Sequence, residues 1–395
     1  MNNLIIKKSF IFLVETGLKL LWILPMKKNK IMFVSFSGQY SDSPKYLYKK
    51  LVDKYADSLE YVWVLKADVS DTDLNLSKRV QPHTLAYFKE LLTSKIIITN
   101  DYLNTYAPIR KKQFVLNTWH GGSPLKTVGM VNDDVSEYDK YFFDKHEKKY
   151  NAYISSSKFM TKEVFRRSFN YKGEIIKCGL PRNAILFGDH SMAIKRVQDY
   201  FRLPHEESYG IVLYAPTFRG NFKNSGFLPE SQQFNIDECL KILDKKFGKK
   251  FYFLFRAHHT FNYEFNNPHC LKATDYPDMQ ELLCATDILL TDYSSCMGDM
   301  CLMDKPVFLY TRDLEKYISD RGFYWDIFSL PFPVARNPEK LYEKIKNFDQ
   351  ENYREGIKDY LQKLGSYENP SSVEIATKRI EQELGFIKTK NEKER

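Results

Sequence analysis

Cysteine is scarce in this chain: six residues in 395, none in a C-x-x-C spacing. That excludes a disulfide framework and a zinc ribbon. Several of the six (178, 239, 270, 284, 296, 301) sit inside apolar runs, as reduced core thiols do, which fits a reducing, cytosolic compartment. No zinc knuckle, RNP-like aromatic motif or basic heptad accompanies the net charge of +9. Nucleic acid is therefore the least favoured anionic partner, behind phosphate and a membrane surface. Among the residues that follow the later strands no carboxylate pair or D-x-D-type metal site is evident, Asp292 and Asp299 being the only acids nearby. No apolar run is long and charge-free enough to span a bilayer, because residues 9–26 carry Glu15 and Lys19 mid-span. Leu24-Pro25-Met26 is not a signal-peptide exit. Internal repeats and low-complexity blocks are also missing.

What is present is a well-supplied core. The 43% hydrophobic and 28% charged content is that of a folded globular protein, and the length suits two ordinary domains or one large α/β unit. In residues 1–28, Lys8, Glu15 and Lys19 fall in one narrow stripe of a helix, leaving a wide apolar face, and Lys27, Lys28 and Lys30 follow. Two readings stand: an interfacial helix on an anionic leaflet, or a helix packed on its own domain. Beyond it, short apolar strands alternate with helical stretches. Strands are expected at 31–36, 61–65, 95–99, 114–119, 152–155, 174–178, 211–214, 251–255, 288–290 and 307–310. Helices are expected from Ser43-Pro44 onward, near 84–92, and at 236–247 and 278–285. Such alternation means parallel β/α/β units. The expected fold is α/β, with two doubly wound Rossmann-like domains facing a central cleft. Residues 29–190 would form the first domain and 191–385 the second, with a charged tail at 386–395.

In open α/β sheets ligands bind beyond the carboxyl ends of strands, so the residues that follow each strand are the informative ones. After 114–119 come His120-Gly121-Gly122-Ser123-Pro124, and after 174–178 comes Arg182. Thr217 and Arg219 follow 211–214, and Arg256 with His258-His259 follows 251–255. After 288–290 stand Thr291-Asp292-Tyr293-Ser294-Ser295, with Asp299 close behind. Arginines, histidines and a hydroxyl cluster at a helix start describe a site for a doubly charged phosphate group with acid/base capacity beside it. His120 is the candidate base, and the glycine pair after it lets backbone approach a ligand. The residues alone do not choose between His258 and His259.

These motifs together resemble one family. Asn117-Thr118-Trp119-His120-Gly121, Arg256-x-His258, Thr291-Asp292-Tyr293-Ser294-Ser295 and Arg321-Gly322-Phe323-Tyr324 are similar to the CDP-glycerol glycerophosphotransferases, the teichoic-acid-type polyol-phosphate polymerases and primases. Supporting matches are Tyr40-Ser41-Asp42-Ser43-Pro44, residues 155–160, 179–183 and 214–219. The resemblance implies a GT-B fold and a peripheral enzyme at the cytoplasmic face of the cell membrane. It implies His120 as base, His258 as the second catalytic histidine, and Thr217, Arg219, Arg256, Ser294, Ser295 and Asp299 around the nucleotide and its phosphates, with Arg182 reaching in. Thr291 and the loop residues Gly121, Gly122, Ser123 and Pro124 complete the expected substrate-binding set. One departure stands out: the family loop reads W-H-G-T-P, whereas Trp119-His120-Gly121-Gly122-Ser123-Pro124 is one residue longer, which touches the acceptor side. The long extra domains of many polymerases are also lacking, so a minimal catalytic unit is expected.

The expected reaction is transfer of a polyol phosphate, glycerol phosphate first, from CDP-glycerol or CDP-ribitol to a hydroxyl of a lipid-linked acceptor on an anionic membrane surface. CMP would be released and no metal or other cofactor is expected; an oligomer stays open. The product would be a teichoic-acid-type or capsule-type surface polymer. The rivals are a GT-B glycosyltransferase using a nucleotide sugar and a non-catalytic binder of anionic polymers or membranes.

Overall fold

The computed structural model describes residues 2–66, 69, 74–132, 135–205, 208–217, 234–257 and 267–387. Two compact units emerge. Unit 1 holds Met1–His120, Val128–Ala184 and Ser366–Arg395; unit 2 holds Gly121–Thr127 and Ile185–Gly365.

Unit 1 is built on a seven-stranded sheet. Its strands are β1 (Lys27–Val34), β2 (Glu60–Val64), β3 (Ser77–Val80), β4 (Ser94–Thr99), β5 (Phe114–Asn117), β6 (Ala152–Ser155) and β7 (Glu174–Lys177), ordered β3-β2-β1-β4-β5-β6-β7. Every neighbouring pair is parallel. Ile31, Met32 and Phe33 are fully buried, as befits a central strand covered on both faces. The polar edge strand β3, with Lys78 and Arg79 exposed, carries no apolar run and lies outside the expected set. Helix α1 (Asn2–Leu18) precedes the sheet, and α2 (Asp42–Tyr55), α3 (Leu85–Thr93) and α4 (Glu137–Glu147) connect its strands. A nine-residue π-helix, Met160–Ser168, follows β6.

Unit 2 repeats the plan. Helix α5 (Ser191–Phe201) leads into β8 (Tyr209–Tyr214). Then come α6 (Ile236–Phe247), β9 (Lys250–Phe255), β10 (Cys270–Lys272), α7 (Met279–Ala285), β11 (Ile288–Thr291), α8 (Cys296–Cys301), β12 (Val307–Tyr310), α9 (Leu314–Arg321), β13 (Val334–Ala335), α10 (Pro338–Lys346) and α11 (Gln350–Leu364). The six strands order as β10-β9-β8-β11-β12-β13, again parallel throughout. Each sheet thus reverses its winding once, between β1 and β4 and between β8 and β11. Those are the topological switch points at which doubly wound sheets hold ligands.

The units part from the expected 29–190 and 191–385 spans at three places. The crossing falls at 184/185, so residues 185–190 belong to unit 2. Residues 121–127 belong to unit 2. The last helix, α12 (Ser372–Leu384), returns to unit 1, where Ala376 and Ile380 join the core cluster of Leu47 and Leu51. The buried Glu381 there accepts bonds from Lys54 Nζ and, at 2.7 Å, from the Tyr55 hydroxyl.

Helix α1 packs with its charged stripe inward. Lys7 and Lys8 lie over the rings of Tyr138 and Tyr141 on α4, at 4.6 and 4.8 Å, and Glu15 pairs with Lys145 of the same helix. Ile11 is buried between them. The apolar side faces out: Ile6, Phe10, Leu13 and Leu20 are 66%, 60%, 67% and 78% exposed, and Ile5, Phe12 and Ile23 are exposed with them. Of the following lysines, Lys30 is buried against Glu90 at 2.7 Å and Lys27 pairs with Glu60, so the basic run is largely spent in ion pairs. No described helix is long and apolar enough to cross a membrane.

Candidate functional site

In unit 1 the candidate base sits beside the switch point. Strand β5 ends at Asn117, whose Oδ1 accepts from the Trp119 amide at 2.8 Å, and Trp119 turns the chain at φ 55°, a conformation side chains other than glycine rarely adopt. This turn places the His120 ring flat against the Trp119 indole, with centroids 4.5 Å apart and planes at 28°, and the Phe36 ring 5.4 Å away. Phe165 and Phe169, the latter at the end of the π-helix, back the indole edge-on. His120 Nδ1 lies 2.7 Å from the carbonyl oxygen of Asn100, just past β4. A carbonyl only accepts, so Nδ1 carries the hydrogen and Nε2 keeps its lone pair for a proton. Arg182 is buried, bonds the Asp42 carboxylate, and donates through the same Nη1 to the His120 carbonyl at 2.8 Å.

In unit 2 the hydroxyl cluster stands at the β8/β11 switch point. Asp292, just past β11, accepts at one oxygen from the Thr217 amide (2.8 Å), the Thr217 hydroxyl and its neighbour's amide at Tyr293. Thr291 is fully buried and gives its hydroxyl to the Ala215 carbonyl at 2.7 Å, so it ties β11 to β8. Ser294 and Ser295 are half-buried at the start of α8, and Ser295 makes no side-chain cap bond. Arg256, past β9, donates through Nη1 to the Ala273 and Tyr276 carbonyls; burial lowers its pKa and the charge of Asp278 supports its protonated form. Asp299 is buried and accepts from Gln280 Nε2 at 3.3 Å. Burial pushes the Cys296 thiol in this turn up to about 11, which leaves it protonated and without nucleophilic character.

The loop after His120 docks within unit 2. Ser123 occupies the space that a side chain at Gly298 would need: a Cβ there would fall 1.8 Å from Ser123 Oγ. Lys126 bridges antiparallel to Phe323, Thr127 N donates to Gly322 O at 3.1 Å, and Tyr324 N donates to Leu125 O at 2.8 Å. The Arg321-Gly322-Phe323-Tyr324 motif is thus the backbone seat of this longer loop. Gly121 and Pro124 are half-buried in it and Gly122 is buried.

Of the sequence-derived residues, unit 1 therefore holds His120 and Arg182. Unit 2 brings together Thr217, Arg256, Thr291, Ser294, Ser295 and Asp299, and carries Gly121, Gly122, Ser123 and Pro124. His258 and Arg219 lie outside the described residues. Asn100, and Ser35 whose Oγ accepts from Asn100 Nδ2 at 3.2 Å, are candidate site residues that the sequence reading misses; the signal was there, since each directly follows a strand, β4 or β1. A cavity of about 510 Å3 in unit 1, with Lys27, Lys30, Glu60, Lys78 and Glu90 in its lining, sits at the opposite, amino-terminal ends of β1–β3 and takes no part in the site. Among the described residues no group of three or more His, Cys, Asp or Glu side chains is placed to hold a metal ion.

Comparison with known proteins returns consistent matches. The profile of a family described as CDP-Glycerol:Poly(glycerophosphate) glycerophosphotransferase matches residues 17–382. A teichoic acid poly(glycerol phosphate) polymerase of Bacillus spizizenii is 30% identical over 359 residues, covering 84% of this chain and 88% of that protein. A polymerase of the same description from Staphylococcus epidermidis is 28% identical over 363 residues, 87% of this chain but 49% of its own length. The chain thus spans most of the first relative and about half of the second. Among solved structures, a variant of the wall teichoic acid polymerase TagF soaked with CDPG superposes with a TM-score of 0.79 at 26% identity, covering 98% of this chain and 99% of that one.

Proposed function

Because the chain belongs to the CDP-glycerol:poly(glycerophosphate) glycerophosphotransferase family and has its GT-B-like α/β fold, we propose that it transfers a polyol phosphate from a CDP-polyol to a hydroxyl of a lipid-linked acceptor. Glycerol phosphate is the favoured unit, since the first relatives above are glycerol-phosphate polymerases. In this reading Nε2 of His120 removes the proton of the acceptor hydroxyl. The resulting oxygen attacks the β-phosphorus that carries the polyol, the bond to the bridging oxygen breaks, and CMP leaves in line. The observation that carries the base assignment is the Nδ1–Asn100 carbonyl bond, which dedicates Nε2 to proton acceptance.

The donor phosphates belong at the β8/β11 switch point. Support comes from the half-buried hydroxyls of Ser294 and Ser295 at the start of α8 and from the Arg256 guanidinium, while Asp292 holds Thr217 and the turn in place by taking their donors. Fixed N–H, O–H and guanidinium donors would neutralise charge on the non-bridging and leaving oxygens, and such neutralisation, with positioning, supplies most of the rate enhancement in phosphoryl transfer. His258 and Arg219 enter as further donor-side groups on the strength of the motif match.

The protein works at a membrane surface, held there by α1. The outward apolar face of Ile6, Phe10, Leu13 and Leu20 supports this, since its polar stripe is already engaged by α4. The test is incubation with CDP-glycerol, CDP-ribitol and UDP-sugars in the presence of a synthetic lipid-linked acceptor, with nucleotide release and product mass recorded. CMP release with a product heavier by one or more glycerol phosphate units is expected. UDP release with a sugar added would replace this reading by a glycosyltransferase.

A further inference from the structure

The Tyr40-Ser41-Asp42-Ser43-Pro44 stretch reaches His120 by two arms. In the first, the buried Asp42 carboxylate holds Arg182, and the same guanidinium nitrogen donates to the His120 carbonyl at 2.8 Å. Arg182's own amide lies 3.3 Å from Ser43 Oγ, which seats the arginine over the start of α2. In the second arm, Ser41 Oγ lies 3.2 Å from Ser35 Oγ, and Asn100 Nδ2 donates to Ser35 Oγ at 3.2 Å. Asn100 Oδ1 takes the Phe36 amide at 2.9 Å, and the Asn100 carbonyl takes His120 Nδ1 at 2.7 Å. Ser41 and Asp42 are consecutive, so the two arms close a ring around the histidine, one on its main chain and one on its imidazole.

The backbone is bent to fit this ring. Phe36, Asp42 and Trp119 hold φ values of 41°, 60° and 55°, in the left-handed region that side chains other than glycine seldom occupy. With Ser37 at φ 55°, four such residues on the segments around one histidine mark a constellation held in place by its surroundings. The chemistry suits the task. A planar guanidinium can serve a carboxylate and a carbonyl at once, which an ammonium does less well. A buried carboxylate, in turn, fixes the arginine because neither charge is stable there alone.

We propose that Asp42 is a positioning residue for the transfer: through Arg182 it fixes the main chain of His120, while Ser35 and Asn100 fix the imidazole, so that Nε2 points where the acceptor proton is taken. This rests on the reading of His120 as base. It gives Arg182 a task in holding the base, and it gives the 40–44 motif a purpose.

The test uses the full chain with Asp42→Asn, Arg182→Lys and Ser35→Ala. CMP release from CDP-glycerol with a synthetic lipid-linked acceptor is measured alongside 15N NMR of the imidazoles, the His120 signals being assigned by their loss in His120→Gln. The expected result is a tenfold or larger fall in kcat for Asp42→Asn and Arg182→Lys and a smaller one for Ser35→Ala. KM for CDP-glycerol should stay within twofold, and the His120 signals should lose the single Nδ1–H pattern. Unchanged kcat and unchanged imidazole signals in folded variants overturn the proposal. So does a raised KM with kcat intact, which would make Asp42 and Arg182 donor-binding groups. If Asp42→Asn does not fold, Ser35→Ala decides. If His120→Gln keeps full turnover, the base reading falls instead, and the NMR pattern in the variants still judges the ring on its own.

Discussion

Serine at positions 6, 10 and 13 together would strip the centre of the outward face of α1 without touching its packing. The three native side chains are 66%, 60% and 67% exposed, and the residues that fasten the helix, Lys8, Ile11 and Glu15, lie on the other side. Full burial of such a side chain is worth about 1.5–3 kcal/mol, so sinking the exposed two-thirds of each into lipid gives roughly 1–2 kcal/mol per residue. Summed over three residues, the loss is about 3–6 kcal/mol, or roughly 10²–10⁴ in partition. The assay is flotation with phosphatidylcholine vesicles, with and without anionic lipid, across a salt series. The triple variant should stay in the aqueous fraction with an unchanged melting temperature. Because Lys30 and Lys27 are tied to Glu90 and Glu60, wild-type binding should fall only a few-fold between low and high salt. Binding that survives the triple substitution, or that vanishes with salt alone, would refute membrane docking by this face.

Two further outcomes follow from packing and burial. Gly298→Ala should destabilise unit 2 by about 1–3 kcal/mol, the usual range for overpacking, because its Cβ meets Ser123. Adding Ser123→Gly should restore most of that loss, and thermal melts of the two single variants and the double would show no coupling if the contact were unimportant. Glu147 is buried, and its carboxyl is pushed up from 4.5 to about 8 by desolvation, with the Tyr153 hydroxyl pulling the other way. A folded-state pKa above the unfolded one means that stability is intact below about pH 4.5 and is lost as pH climbs through about 8. Glu147→Gln should therefore be more stable than wild type in melts at pH 8, by about 4 kcal/mol, with the gap closing near pH 5. A pH-independent gap would contradict the assignment.

Much of the architecture is legible in the sequence because buried parallel strands are short apolar runs bounded by turn residues. β6 and β12 fall where expected, and β5 stops two residues early because Trp119 is already turning. What stays hidden has physical reasons. β3 is a polar edge strand, and β13 is only two residues long. The return of α12 to unit 1 is a long-range packing choice that no local pattern encodes. The stripe on α1 is visible in the sequence, but its direction is not: only α4, with Tyr138, Tyr141 and Lys145, shows that the charges face in. At the site, the residues that follow the strands lead to His120 and the 291–295 turn. They do not reveal that Thr291 spends its hydroxyl on the Ala215 carbonyl, nor that a backbone carbonyl at Asn100 selects the tautomer of His120.

The central claim is that Nε2 of His120 takes the acceptor proton. It is tested most directly by His120→Ala, with turnover and donor affinity measured on the same preparation. CMP release in the presence of acceptor should fall by about 10²–10⁴, the usual weight of a general base, while CDP-glycerol binding by calorimetry stays within a few-fold of wild type. Turnover near the wild-type rate would remove His120 as the base, and loss of CDP-glycerol binding would make it a donor-binding residue instead.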